Sequence, residues 1–126
     1  MRELRVVVVD DSVLIREYLK RALNRIRGCN LVGMATDGDE GLTMIRMLHP
    51  KVVLLDVSMP VKSGLEVLRE LRQENSRVIV IMFTADNTPG LKEKCLQDGA
   101  NYFVSKDDFK QLVEIFAELC TPRAQN

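Results

Sequence analysis

Two adjacent carboxylates, Asp10-Asp11, a third at Asp56, a hydroxyl at Thr84 and an ammonium at Lys106 are scattered along most of the chain. Each nevertheless follows a short, strand-like stretch. Ligands of open parallel sheets bind outside the carboxyl ends of the strands, so neighbouring parallel strands would bring all five groups to one edge. Three carboxylates about 5 Å apart repel by ~3 kcal/mol per pair at an effective dielectric constant of about 20, and a cation must offset that cost. Lys106 offsets part of it. The rest suits Mg²⁺, which takes one or two protein carboxylates, keeps several waters and accepts a phosphoryl oxygen. Mg²⁺-assisted phosphoryl transfer is the chemistry this set supports. Singly, each residue has a plainer reading. Asp10 or Asp11 suits a helix N-cap and Asp56 a turn, while Thr84 reads as a strand-end hydroxyl and Lys106 as a surface lysine. Their joint occurrence at successive strand ends favours the chemical reading.

The elements that must position them alternate along the chain: short apolar runs, then longer amphipathic stretches, the pattern of βαβ units around a parallel sheet. The pattern predicts β1 over 4–9, then α1 after the capping segment Asp10-Asp11-Ser12, with apolar positions from Val13 to Ile26. It predicts β2 over 31–36, α2 from the cap Asp37 to Leu48 before Pro50, and β3 over 52–55. A loop with Pro60 and Gly64 leads to α3 over 65–73, then β4 over 78–83. Thr88-Pro89 fits the start of α4 and Gly99 its stop, followed by β5 over 101–105 and α5 over 107–120. Almost continuously apolar strands imply helices on both faces, so right-handed crossovers give a doubly wound sheet.

The chain has 126 residues, 46% hydrophobic and 29% charged, enough for one domain with its own core. Residues 1–120 are expected to form it and 121–126 to be a frayed polar tail. Eighteen basic residues balance eighteen acidic ones, which leaves no basic field for nucleic acid. No apolar run approaches the roughly 20 residues of a membrane span, and no signal-peptide pattern opens the chain, so the expected setting is the cytoplasm. Cys29, Cys95 and Cys120 are odd in number and lack a CxxC pattern. They read as reduced thiols with a packing role.

Over essentially its whole length the sequence resembles the receiver domains of bacterial two-component response regulators. The carrying residues are Val6-Val7-Val8-Val9-Asp10-Asp11-Ser12, Asp56-Val57-Ser58-Met59-Pro60 with Gly64, Thr84-Ala85, Gly99-Ala100 and Lys106. The resemblance implies the strand order 2-1-3-4-5. It implies that Asp56 takes a phosphoryl group from a phosphohistidine on a sensor histidine kinase or phosphotransfer protein, forming an acyl phosphate. Asp11, Asp56 and the Ser58 carbonyl would ligate Mg²⁺ directly, with Asp10 acting mainly through a water. Lys106 would pair with a phosphoryl oxygen and Thr84 would hydrogen-bond another. Phe103 holds the family's switching aromatic position, and α4, β5 and α5 would form the face for a downstream partner or a phosphorylation-dependent homodimer. Such a domain catalyses its own phosphorylation and dephosphorylation and has no turnover substrate.

Two departures stand out. The family commonly has proline after the lysine, often in a cis bond, where this chain has Asp107, which leaves the β5–α5 path open. The positions that tune phosphate loss in the family hold Ser58 and Asp86. Competing readings fit less well. A flavodoxin-like binder would need a glycine- and hydroxyl-rich phosphate loop after β1, where Asp10-Asp11-Ser12 stands. An aspartate-nucleophile phosphatase would carry Asp-x-Asp, and Asp56-Val57-Ser58 lacks the second carboxylate. A vestigial module would have lost the acceptor or the lysine. The sequence fits a stand-alone receiver or the receiver of a longer protein.

Overall fold

Runs such as Val6 to Val9 have no polar side chain to face water, so they are stable only where both sheet faces are covered. The computed structural model describes residues 3–121. It comprises β1 (Leu4–Val9), α1 (Val13–Asn24), β2 (Cys29–Ala35), α2 (Gly38–Leu48), β3 (Val52–Leu55), α3 (Gly64–Gln73), β4 (Ile79–Thr84), α4 (Leu91–Gln97), β5 (Tyr102–Ser105) and α5 (Phe109–Cys120). The strands form one parallel sheet in the order β2-β1-β3-β4-β5, the expected doubly wound architecture.

Alternation along each strand sorts the core into two layers. Val6, Val8, Val52, Leu54, Ile81 and Phe83 pack with Leu19 and Leu23 of α1 and Leu112 and Phe116 of α5. Val7, Val9, Val53, Leu55, Val80 and Met82 pack with Leu42 and Ile45 of α2, Val67, Leu68 and Leu71 of α3, and Cys95 of α4. Four helices start on side-chain caps. Ser12, Asp37, Ser63 and Asp108 accept the N–H groups of Ile15, Glu40, Glu66 and Gln111, and Ser63 and Glu66 form a reciprocal capping box.

Several boundaries differ from expectation. β2 begins two residues early, because Cys29 pairs in register with Leu4 and the Leu4 N–H donates to the Gly28 carbonyl. It ends at Ala35, since the Thr36 N–H is taken by Glu40 Oε1. α4 starts at Leu91 and not at Pro89. Gly90, at φ +85°, is its N-cap, and the Leu91 N–H closes a turn onto the Thr88 carbonyl. α5 starts at Phe109, two residues later than expected, with Asp108 as its N-cap. The expected frayed tail lies outside the described residues except for Thr121, which ends α5 by donating its hydroxyl to the Ala117 carbonyl.

The β3–α3 loop is held by close backbone approaches. A Cβ at Gly64 would stand 1.9 Å from the Asp56 carbonyl oxygen, and one at Gly38 would stand 2.1 Å from that of Lys62. Between them Val61 has φ +70°, and the Lys62 N–H bonds back to the Pro60 carbonyl at 2.8 Å. That is a γ-turn centred on a β-branched residue, a strained arrangement that persists only when its surroundings over-determine it. Lys62 supplies part of that restraint through ion pairs with Glu70 and Asp39.

Two substitutions test this account by urea unfolding. Val61→Gly is expected to stabilise the fold by about 1 kcal/mol, since strain relief outweighs glycine's greater freedom when unfolded, and the 76% exposed side chain leaves little packing to lose. Gly64→Ala is expected to destabilise it by about 2 kcal/mol or more, because the added methyl meets backbone that cannot yield.

Candidate functional site

Parallel pairing continues past the strand ends and fixes the backbone of the chemical residues. The Asp10 N–H donates to the Ala35 carbonyl, the Asp56 N–H to that of Val9, and the Lys106 N–H to that of Thr84. Asp10 and Asp56 therefore leave adjacent strands at one level, and Lys106 leaves beside Thr84. Asp10, Asp56 and Thr84 are the buried polar residues of the described chain, at 2%, 6% and 2% exposure.

The carboxylates of Asp10, Asp11 and Asp56 and the ammonium of Lys106 converge as the sequence predicts. Carboxylate oxygens of Asp10, Asp11 and Asp56 lie within 4.8 Å of one another, with Asp11 exposed. Lys106 Nζ bridges the two buried members, 2.8 Å from Asp10 Oδ2 and 3.0 Å from Asp56 Oδ2. The remaining oxygens take backbone donors: Asp10 Oδ1 accepts the Ser12 N–H at 2.9 Å and Asp56 Oδ1 that of Ser58 at 3.4 Å. Burial pushes the Asp10 carboxyl above its ordinary range, and the Lys106 and Ser12 hydrogen bonds only partly reverse this. Burial acts to lower the Lys106 ammonium, but its bonds to Asp10 and Asp56 outweigh it and hold the group above its ordinary range. Three negative charges face one positive, and the donors are all hard oxygens, so the set fits a divalent ion such as Mg²⁺.

A second polar cluster flanks this one. Thr84 Oγ1 accepts the Asp86 N–H at 3.1 Å, leaving the hydroxyl proton available. The Asp86 carboxylate accepts the Thr88 hydroxyl at 2.5 Å and its N–H at 3.0 Å. Bonds from Thr88, and a smaller contribution from the Ser58 hydroxyl, hold Asp86 below the usual carboxylate range. The Ser58 side chain of the β3–α3 loop thus lies near Asp86 of the β4–α4 loop. Arg16, which sequence reasoning missed, donates to the Asp10 backbone carbonyl at 2.8 Å. The available signal was a long basic side chain one turn into α1, where helical side chains lean back toward the N-terminus.

Residues 6–117 match the response regulator receiver domain family. The chain belongs to that family. It is 40% identical over 121 residues to a protein-glutamate methylesterase/protein-glutamine glutaminase 1 of Carboxydothermus hydrogenoformans, covering 94% of this chain and 35% of that protein. Among solved structures it resembles the NarL signal receiver domain of Mycobacterium tuberculosis, with a TM-score of 0.88, 34% identity, and 98% and 100% of the two chains covered. It also resembles the CheY of Borrelia burgdorferi, from a CheX–CheY–BeF₃–Mg²⁺ complex, with a TM-score of 0.81, 25% identity, and 91% and 90% covered. The chain spans less than half the length of the curated relatives it matches.

Against the family pattern, the receiver's β5–α5 loop forms without proline, and none of its described peptide bonds is cis. Ser105 shapes the turn, its hydroxyl accepting the Asp107 N–H at 3.1 Å and its carbonyl the Asp108 N–H at 2.9 Å. Phe109 then anchors α5, with ring centroids 4.1 Å from Tyr18 and 5.3 Å from Phe83. Phe103 lies half-buried beside Met82 of β4, against the layer under α2, α3 and α4. No helix among the described residues is long and apolar enough to cross a membrane.

Charge balance in the receiver site is tested without metal. Lys106→Met is expected to cost about 3 kcal/mol, since it leaves two buried carboxylates unpaired. Asp11→Ala is expected to stabilise the fold by about 1 kcal/mol in EDTA by removing repulsion, and to abolish the gain that millimolar Mg²⁺ gives the parent. Denaturant midpoints with and without Mg²⁺ measure both effects.

Proposed function

We propose that Asp56 is the phosphoacceptor and that this receiver takes its phosphoryl group from a phosphohistidine on a sensor histidine kinase or phosphotransfer protein. The observation that carries the reading is the Lys106 bridge between Asp10 and Asp56 inside a three-carboxylate cluster. An Asp56 carboxylate oxygen attacks phosphorus as the P–N bond to the donor imidazole breaks. An acyl phosphate and a free imidazole result. Positioning and electrostatic stabilisation account for most catalysis in such transfers. The Asp10, Asp11 and Asp56 carboxylates and the Ser58 carbonyl would hold Mg²⁺, which when bound supplies positive charge against the phosphoryl oxygens. Ordered by Ser12 and Arg16, Asp10 holds Lys106 over Asp56, and Lys106 then pairs with a phosphoryl oxygen.

Thr84 is proposed as the sensor of that phosphate. Its oxygen already accepts the Asp86 N–H, so its proton is free to bond the phosphoryl group, drawing the β4–α4 loop inward. Phosphate favours the inward state through that bond, as a population shift requires. Space opens beside Phe103, whose ring has no hydroxyl to leave unsatisfied on moving inward. The surface of α4, β5 and α5 then changes shape for a downstream partner or a second copy of the chain. The domain turns over no separate substrate, and its output is made through protein contacts in the cytoplasm.

Two experiments test this reading. With Mg²⁺ and acetyl phosphate or phosphoramidate, the parent is expected to gain the mass of one phosphoryl group and Asp56→Asn none. An adduct persisting in Asp56→Asn overturns the assignment. Beryllofluoride is expected to shift amide signals from Leu91 to Phe109 in the parent. Thr84→Ala should still accept phosphate but lose that shift, and equal shifts in both proteins would reject the coupling.

A further inference from the structure

Cys29 opens β2, Cys120 closes α5, and both are free, half-buried thiols. The fold brings these distant residues together. Pairing of Cys29 with Leu4 sets the start of β2 beside that of β1. The last turn of α5 covers this corner, so that a Cβ at Gly28, next to Cys29, would lie 3.8 Å from Cys120 Cβ. The two sulfurs are close enough to alter each other's ionisation. Burial, then the proximity of Cys120, pushes the Cys29 thiol up to about 12. Burial also raises Cys120, and the neighbouring Cys29 thiol partly offsets this. Cys95 is excluded, being fully buried in the layer on the other face of the sheet.

Cys120 also has an approach route, which makes it the sulfur that an oxidant in solution meets. Gly28 and Cys120 line an open cavity of about 880 Å³ with Leu4 and Ile26 among its apolar walls and Arg27 and Lys51 among its cations. A thiol in an inert core has neither a partner sulfur nor such access.

We propose that Cys29 and Cys120 form a redox pair whose disulfide staples the last turn of α5 to the start of β2, with an anionic low-molecular-weight disulfide such as oxidised glutathione as the oxidant. The Cys120 thiolate attacks one glutathione sulfur and expels glutathione thiolate, leaving a mixed disulfide on Cys120. Cys29, losing its proton to solvent, attacks Cys120 Sγ and expels the second glutathione. One disulfide and two reduced glutathiones replace two thiols and one oxidised glutathione. The second step is intramolecular, which favours the protein disulfide over the mixed one. This device lies at the end of the strands opposite Asp56, and it acts on α5, an element of the proposed output face.

The test uses the native, reduced protein, incubated with millimolar oxidised glutathione in mildly alkaline buffer. After an acid quench it is alkylated in denaturant and read by intact mass and peptide mapping. The reduced protein takes one label on each of its three cysteines. The oxidised protein is expected to take one, on Cys95, with a peptide linking Cys29 to Cys120 and a higher denaturant midpoint that dithiothreitol reverses. Cys95→Ser should form the same link, and Cys29→Ser and Cys120→Ser should not. Full labelling after oxidation, a lasting glutathione adduct on either thiol, a bridge through Cys95, or a disulfide-linked dimer would each overturn the proposal. Asp56→Asn should form the link as the parent does, so the outcome is independent of the phosphoacceptor reading.

Discussion

The ammonium of Lys106, held between the buried carboxylates of Asp10 and Asp56, is the interaction on which the site depends. Like charges gathered at one sheet edge oppose folding, and burial pushes the Asp10 carboxyl above its ordinary range. The fold accepts this because the strands that carry them are among its most securely packed parts. Val6 to Val9 and Val52 to Leu55 are essentially inaccessible to solvent, and parallel pairing of β1 with β3 leaves Asp10 and Asp56 no freedom to separate. Hydrophobic burial in two layers thus holds an electrostatically unfavourable cluster in place. A cluster so held carries an excess of negative charge that a divalent cation would offset.

The two loops beside Asp56 are restrained in different ways. The β3–α3 loop is pinned by backbone contacts at Gly38 and Gly64, by the γ-turn at Val61 and by the ion pairs of Lys62. It fixes Ser58 next to Asp56. The β4–α4 loop has instead a string of polar bonds among Thr84, Asp86 and Thr88, those between Asp86 and Thr88 exposed, followed by a seven-residue helix with no side-chain cap and one buried residue, Cys95. Few apolar contacts and many exposed hydrogen bonds mark a segment of low local stability. A new acceptor at Asp56 would meet one wall that resists and one that yields, which gives a change at the site a direction.

Much of this was legible in the sequence because the signals are local. Valine-rich runs ending in Asp10, Asp56 and Thr84, with amphipathic stretches between them, specify strand ends and a parallel sheet through side-chain periodicity alone. Caps such as Asp37 are equally local, since the side chain bonds an amide three residues on. The start of α4 was misjudged because Pro89 suits a first helical turn, whereas the left-handed turn at Gly90 is decided by how the chain leaves β4.

The sequence by itself determined the element types, the strand-end residues and the charge imbalance among them, all of which follow from composition and spacing along one chain. Tertiary structure alone decided that Lys106 bridges Asp10 and Asp56, that Arg16 closes on the Asp10 carbonyl, that Ser58 lies near Asp86, and that Cys29 lies near Cys120. It also decided the β5–α5 path, where Ser105 and the packing of Phe109 on Tyr18 and Phe83 stand in for proline. Each of these joins residues whose separation in space is set by strand order, register and helix packing. Those are properties of the whole buried core, and no local window of sequence contains them.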